Sequence, residues 1–187
     1  MARWEPNARG RLEEAALELF GEQGFEQTAV AEIAARAGLT ERTYFRHFAD
    51  KREVLFWGEH LLSDTLVGAI ADAPESASAL EMVRAGLGSV TAIFVERRDH
   101  ARRRQAVIDA NPGLQERELA KLAVLATTTA EALRARGVAE PAASLAAQAG
   151  IAVFKVAFGQ WISATDGAEL ADVIDAAFAE LKAVTAI

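Results

Sequence analysis

The chain contains no cysteine. That excludes disulfides, thiol nucleophiles and cysteine-ligated metals, and it agrees with a cytoplasmic location. Its four prolines sit at element boundaries rather than inside periodic stretches. No run of about 18 apolar residues is present, so no transmembrane helix and no membrane partner is expected. The N-terminal "MARWEPNARGRLEEA" lacks the apolar core of a secretory signal. There is no alternating segment long enough to read as a strand, no internal repeat and no low-complexity tail. The three histidines, His47, His60 and His100, have no metal-ligand spacing, and no Ser-His-Asp arrangement can be singled out. "GLGSVT" (Gly86 to Thr91) lies inside a helical stripe with no preceding strand, which removes a nucleotide-loop reading. An enzyme is therefore not expected, and no cofactor is implied.

What is there is apolar and helical. Hydrophobic residues make up 51% of 187, enough for a sizeable core, and the apolar spacing is three and four almost throughout. This predicts an all-α chain. A first helix is expected from near Pro6 to Gly24, with Leu12, Ala15, Ala16, Leu19 and Phe20 inward. Thr28 offers an N-cap to a second helix whose inward residues are Val30, Ile33, Ala34 and Ala37. After Gly38 and Leu39, Thr40 caps a short third helix, Glu41 to His47. Asp50, with Glu53 as capping-box partner, opens a fourth that should reach about Ile70. Ser78 and Glu81 cap a fifth, and Asp99 is the expected cap of a sixth. Pro112 and Pro141 open the seventh and eighth, and the ninth begins near Leu170. Three short helices thus precede six mostly longer ones.

The net charge is −7, which argues against coating nucleic acid with the whole surface but not against a local site. "GLTERTYFRHFADK" (Gly38 to Lys51) gathers Arg42, Arg46, His47 and Lys51 beside Tyr44 and Phe45. Two helices joined by a tight glycine turn, the second short, form a helix-turn-helix, and the second helix of that motif fits the DNA major groove. The competing reading of these charges is an ordinary solvated helix face.

"TAVAEIAARAGLTERTYFRHFADKREVLF" resembles the DNA-binding signature of the tetracycline-repressor (TetR) family at Thr28, Ile33, Ala34, Ala37, Gly38, Thr40, Thr43, Arg46, His47, Phe48 and Lys51. The resemblance covers about residues 9 to 56. It implies a three-helix helix-turn-helix DNA-binding domain over residues 1–50 and a larger six-helix regulatory domain for ligand binding and dimerisation over 51–187. The expected DNA contacts are Thr28, Thr40, Glu41, Arg42, Thr43, Phe45, Arg46, His47 and Lys51. Several carry a second reading. Thr40 is also a cap, Glu41 also suits the helix dipole, and His47 also suits a role in holding the next turn. Lys51 sits at a helix start, where the dipole disfavours a cation, which favours a phosphate partner. Phe45 stands where the family usually has Tyr, and Tyr44 where it has Leu, so a common phosphate hydrogen bond is missing.

The eighth helix, "LAAQAGIAVFKVAFGQWISA", is apolar nearly all round and must be covered on both sides. Ile151, Phe154, Phe158 and Trp161 suit the internal core. Ala146, Ala149, Gly150, Ala152, Val153 and Ala157 suit close packing on another helix, and the resemblance implies a homodimer through helices eight and nine. Trp57, Phe94, Phe154, Phe158 and Trp161 are candidates to line an apolar cavity, with core packing as the alternative. Thr128, flanked by Thr127 and Thr129, either orients a ligand or bonds back to its own helix. Arg104 belongs to a second basic cluster, "ERRDHARRRQ", read either as helix-end charges or as an anion site. The resemblance implies a repressor, released from double-stranded palindromic operator DNA by a small, partly apolar inducer. An all-helical sensor or carrier without specific DNA binding is the alternative.

Overall fold

The computed structural model describes residues 7–165 and 167–186. Among them are nine α-helices and no strand. They are α1 (Ala8–Gln23), α2 (Val30–Arg36), α3 (Glu41–His47), α4 (Glu59–Ala71), α5 (Ala79–Val90), α6 (Arg98–Asp109), α7 (Pro112–Ala135), α8 (Ala142–Ser163) and α9 (Leu170–Thr185), with 3₁₀ turns at Arg52–Leu55 and Thr91–Phe94. The all-α expectation holds. The expected start near Pro6 lies outside the described residues.

The chain forms two compact units. One comprises residues 1–57 together with 103–118, and the other comprises 58–102 together with 119–187. The first therefore adds Lys51–Trp57 and Arg103–Glu118 to the expected 1–50 head.

In the first unit, α1 begins at Asn7, whose side chain accepts from the Gly10 amide at 3.0 Å, and ends at Gly24 with φ 92°. Leu12, Ala16, Leu19 and Phe20 are buried on one side of it. They meet Ile33 and Ala37 of the second helix, Tyr44 and Phe48 of the third helix and its end, and Val54, Leu55 and Phe56. Val107, Ile108 and Leu114, from the later segment, complete this core. Arg104 is held in it by three contacts. Its Nε donates to the Leu55 carbonyl at 2.6 Å, its Nη1 donates to Glu118 at 3.1 Å, and its guanidinium lies 5.1 Å from the Phe56 ring. Burial pulls its pKa down against the pull of Glu118.

The fourth helix is not continuous from Asp50. The Asp50 carboxylate accepts from the Arg52 and Glu53 amides, at 2.8 and 3.1 Å, and so caps only a 3₁₀ turn. Val54, Leu55 and Phe56 are all buried. Three consecutive residues span about 200° of an α-helix, too wide for a one-sided buried stripe, so the chain tightens and turns before α4 starts at Glu59. Glu53 pairs with Arg117 instead of closing a capping box. Asp99 likewise stands inside the first turn of α6 rather than before it.

In the second unit, Ser78 and Glu81 form the expected capping box on α5. Leu66, Ile70, Val83, Leu87 and Val90 are fully buried. Gly86 lets α4 and α5 approach closely, since a Cβ there would meet Leu66 Cδ1 at 2.6 Å. Gly150 does the same for α5 and α8: a Cβ would meet Val83 Cγ1 at 2.2 Å. Ala146, Gly150, Val153 and Ala157 therefore face the interior of their own unit. The helix on which this small-residue face packs closely, as expected, is α5 of the same unit rather than a helix of another copy. The face of α8 left uncovered carries Leu145, Ala152 and Val156. The helix is long and apolar enough by composition to cross a membrane, but here it is the helix that packs on both α5 and α9.

Candidate nucleic-acid interface

The connection between α2 and α3 is built by backbone geometry. Gly38 adopts φ 68°, a conformation glycine takes without side-chain strain. The Leu39 amide then donates to the Ala34 carbonyl at 2.8 Å, and the Gly38 amide to Ala35 at 3.0 Å. This is the pattern that ends a helix with its last carbonyls satisfied. Thr40 starts α3 as expected, its hydroxyl accepting from the Thr43 amide at 3.2 Å and lying 3.1 Å from the Thr43 hydroxyl.

Tyr44 sets the rotation of α3. Its side chain is fully buried, its ring packs on Phe48 at 5.1 Å, and its hydroxyl donates to the Lys51 carbonyl at 3.2 Å. Burial, reinforced by Asp50 and Glu53, raises its pKa well above the ordinary phenol value, so it stays a neutral donor. With Tyr44 and Phe48 inward, the helical period turns Glu41, Arg42, Phe45 and Arg46 outward, and all four are exposed along with Thr40. Thr43 is half-buried at the margin. This face offers guanidinium groups to base edges and phosphates, a carboxylate, and one exposed aromatic ring.

Three of the expected contact residues are placed differently. Thr28 does not cap α2: Ala29 stands at that position, and Glu32 reaches back to the Ala29 amide at 2.7 Å. The Thr28 hydroxyl is buried, donating to the Gly24 carbonyl at 2.7 Å and accepting from Gln23 at 3.3 Å. Lys51 also has protein partners, where the helix dipole alone favours a phosphate. Its ammonium donates to the carbonyls of Phe25 at 2.7 Å, Thr28 at 3.0 Å and Glu26 at 3.4 Å, and lies 4.3 Å from the Phe25 ring. A cluster of carbonyls after α1 balances the cation, so no phosphate is needed to explain it. His47 packs its ring beside Phe48 at 6.3 Å, and its Nε2 is buried without a hydrogen-bond partner among the described residues. Burial lowers its pKa, and the Arg46 and Arg9 cations lower it further.

The expected ligand residues divide between the units. Trp57 and Arg104 belong to the first, where Arg9 lies 5.2 Å from the Trp57 ring. Phe94, Phe154, Phe158 and Trp161 come together in the second. Phe94 is 5.4 Å from Phe158, 5.9 Å from Trp161 and 6.4 Å from Phe154. These rings pack edge-on or tilted upon one another, the arrangement of an aromatic core. The Arg98 guanidinium lies 5.3 Å from Trp161, and Arg102 donates to the Ile162 carbonyl at 2.8 Å, satisfying the end of α8. Thr127 and Thr129 bond back to Ala123 and Leu125, at 3.1 and 2.7 Å, while Thr128 is half-buried between them. A separate cleft of about 110 Å³ lies between α7 and α8, lined by residues including Thr127, Arg134, Ser144 and Gln148. Among the described residues no group of three or more acidic, histidine or cysteine side chains is placed to hold a metal.

Residues 12–56 match the family described as bacterial regulatory proteins, tetR family, and residues 77–186 match the MftR C-terminal domain. The second match alone covers more than half of the chain. The chain belongs to the tetR family of bacterial regulatory proteins. This TetR-family chain is 37% identical over 86 residues to the HTH-type transcriptional regulator TcmR of Streptomyces glaucescens, covering 44% of this chain and 38% of TcmR. It is 31% identical over 107 residues to MftR of Mycobacterium tuberculosis, whose name links it to mycofactocin biosynthesis, covering 56% of this chain and 52% of that one. The chain thus spans about half or less of the curated relatives it matches. Among solved structures it resembles the TetR-family regulator PfmR from Thermus thermophilus, with TM-score 0.51 and 26% identity over 91% of this chain and 95% of that one. It also resembles FadR from Bacillus subtilis in complex with stearoyl-CoA, with TM-score 0.61 and 19% identity over 92% and 96%.

Proposed function

We propose that this TetR-family chain is a ligand-responsive DNA-binding transcriptional regulator, a homodimeric cytoplasmic repressor that leaves a palindromic operator when a small, partly apolar ligand binds. The observation that carries the reading is the outward face of α3, where Thr40, Glu41, Arg42, Phe45 and Arg46 are exposed together while Tyr44 and Phe48 anchor the helix from below. DNA reading falls to residues 1–50, which share one unit with Lys51–Trp57 and Arg103–Glu118, and regulation to the remainder of 51–187. Arg42 and Arg46 supply guanine readout and phosphate neutralisation, Glu41 accepts from a cytosine amino group, and Thr40, Thr43 and His47 contact the backbone. Thr28 and Lys51 act by holding the turn that presents this face.

One short recognition helix makes few base contacts, and two copies over two half-sites supply the remaining affinity and specificity. The uncovered face of α8, with Leu145 66% and Val156 56% exposed among small residues such as Ala152, favours a second copy as its partner. On α9, the exposed Ala176, Ala179 and Ala183 allow close approach of another helix. Ligand binding, assigned to the regulatory domain, shifts the population from a DNA-competent arrangement to one that is not, in proportion to its differential affinity for the two.

The test is fluorescence anisotropy of the full chain on DNA flanking its own gene, at two salt concentrations. Specific binding should fall steeply with salt, since each phosphate contact contributes about 0.9 to the log–log slope. The double variant Arg42→Ala, Arg46→Ala should weaken it by at least about tenfold. Undiminished binding by that variant would overturn the assignment. Ligand release is tested by adding apolar and amphipathic small molecules, acyl-CoA thioesters among them, to the preformed complex.

A further inference from the structure

We infer that Phe45 reads the 5-methyl group of a thymine in the operator half-site. The inference rests on the DNA-binding reading above. Phe45 is 52% exposed, although it is a large apolar side chain on a seven-residue helix. It lies one turn beyond Glu41 and Arg42 and directly before Arg46, so charged groups surround the ring. Its ring has one fixed neighbour. It meets the Tyr44 ring edge-on, with centroids 5.6 Å apart and planes 78° to one another. Tyr44 is itself fixed by full burial and by its bond to the Lys51 carbonyl. This contact braces one side of the Phe45 ring, which favours a partly preorganised recognition element over a stray surface residue.

The chemistry then narrows the partner. A phenylalanine ring has no hydrogen-bonding group, so it cannot donate to a phosphate or read a base edge by polar contact. The flanking arginines suit a polyanion. In the major groove of B-DNA the only apolar group on the base edges is the thymine methyl, and apolar side chains recognise it by contact. Phe45 thus supplies a thymine requirement that Arg42 and Glu41, which read guanine and cytosine patterns, do not.

Replacing thymine by deoxyuridine removes that methyl and leaves every hydrogen-bonding group in place, which makes it the direct test. The operator is first obtained by selection from a random duplex pool with the full chain. Affinity is then measured for copies in which each thymine is replaced in turn, symmetrically in both half-sites. At one position or two adjacent ones, affinity should drop about fourfold per half-site, as expected for one lost buried methyl. The variant Phe45→Ala should bind the parent operator with the affinity lost, and the same deoxyuridine should then have no further effect. Phe45→Tyr should retain the sensitivity. The exposed position lets the Ala variant keep the parent's thermal melt, which is checked alongside. A selected operator that tolerates deoxyuridine at every position, or a sensitivity unchanged in Phe45→Ala, overturns the inference alone. A chain that enriches no sequence overturns the DNA-binding reading and this inference with it.

Discussion

Replacing Lys51 by Met keeps the aliphatic stem and removes the ammonium. The ammonium donates to three backbone carbonyls, two of them at 2.7 and 3.0 Å, and sits 4.3 Å from the Phe25 ring. A hydrogen bond to a charged group contributes about 1.5–3 kcal/mol, and a partly exposed cation–π contact about 0.5–1. These carbonyls are only partly buried and can recover water, so the loss should fall at about 2 kcal/mol, well below the sum over the separate contacts. For a chain of this size that corresponds to a drop in Tm of about 4–8 °C, measured by circular dichroism on the full chain. DNA binding by the folded variant should keep its salt slope, because Lys51 serves the α1–α2 turn. If stability stays within about 0.5 kcal/mol while the salt slope falls by about one phosphate per half-site, the carbonyl cluster is not what Lys51 is for.

Four further outcomes follow from the packing and the charges. Gly150→Ala should destabilise the chain by about 1–3 kcal/mol in a thermal melt, because its Cβ drives into the fully buried Val83. Gly68→Ala, with nothing within 4 Å of the new carbon, should stabilise it by up to about 1 kcal/mol. Leu145→Glu with Val156→Glu should shift the proposed homodimer toward monomer in light scattering and weaken operator binding, whereas an intact dimer would place the self-contact elsewhere. Burial, then Arg46 and Arg9, hold the His47 pKa below its ordinary 6.5. The unfolded chain therefore takes up this proton first as pH falls. The stability contribution is complete above about pH 6.5 and is lost progressively below it, and denaturant midpoints across pH 7 to 5 should show a loss that His47→Gln reduces.

Much of the site could be read before the structure because its signals are local. Gly38, Thr40 and the apolar period of Ile33, Ala37, Tyr44 and Phe48 each act within one or two turns, so spacing alone places α2, the turn and α3. Lys51 and Thr28 escaped because their partners are carbonyls of a loop about 23 to 26 residues back for Lys51, and no pattern of side chains announces a carbonyl. The break before α4 was legible in principle, since Val54, Leu55 and Phe56 are too continuous for one helical stripe. Which helix the small face of α8 meets was not. An alanine and a glycine look equally suited to either side, and only the close approach of Val83 decides which is inward. The aromatic residues of helix eight are legible as a group from their spacing, whereas Trp57 and Arg104 share their chemistry but not their place.

The later segment from Arg103 to Glu118 bears on how freely this DNA-binding head can be transplanted. Val107, Ile108 and Leu114 are buried in the same core as Leu12, Phe20 and Tyr44. Burying three such side chains stabilises by about 5–9 kcal/mol, comparable to the whole net stability of a typical domain. A graft that carries only residues 1–57 onto a foreign regulatory module would leave that core open. The exchangeable cassette is split in the gene, and a working hybrid must inherit both pieces from the same parent.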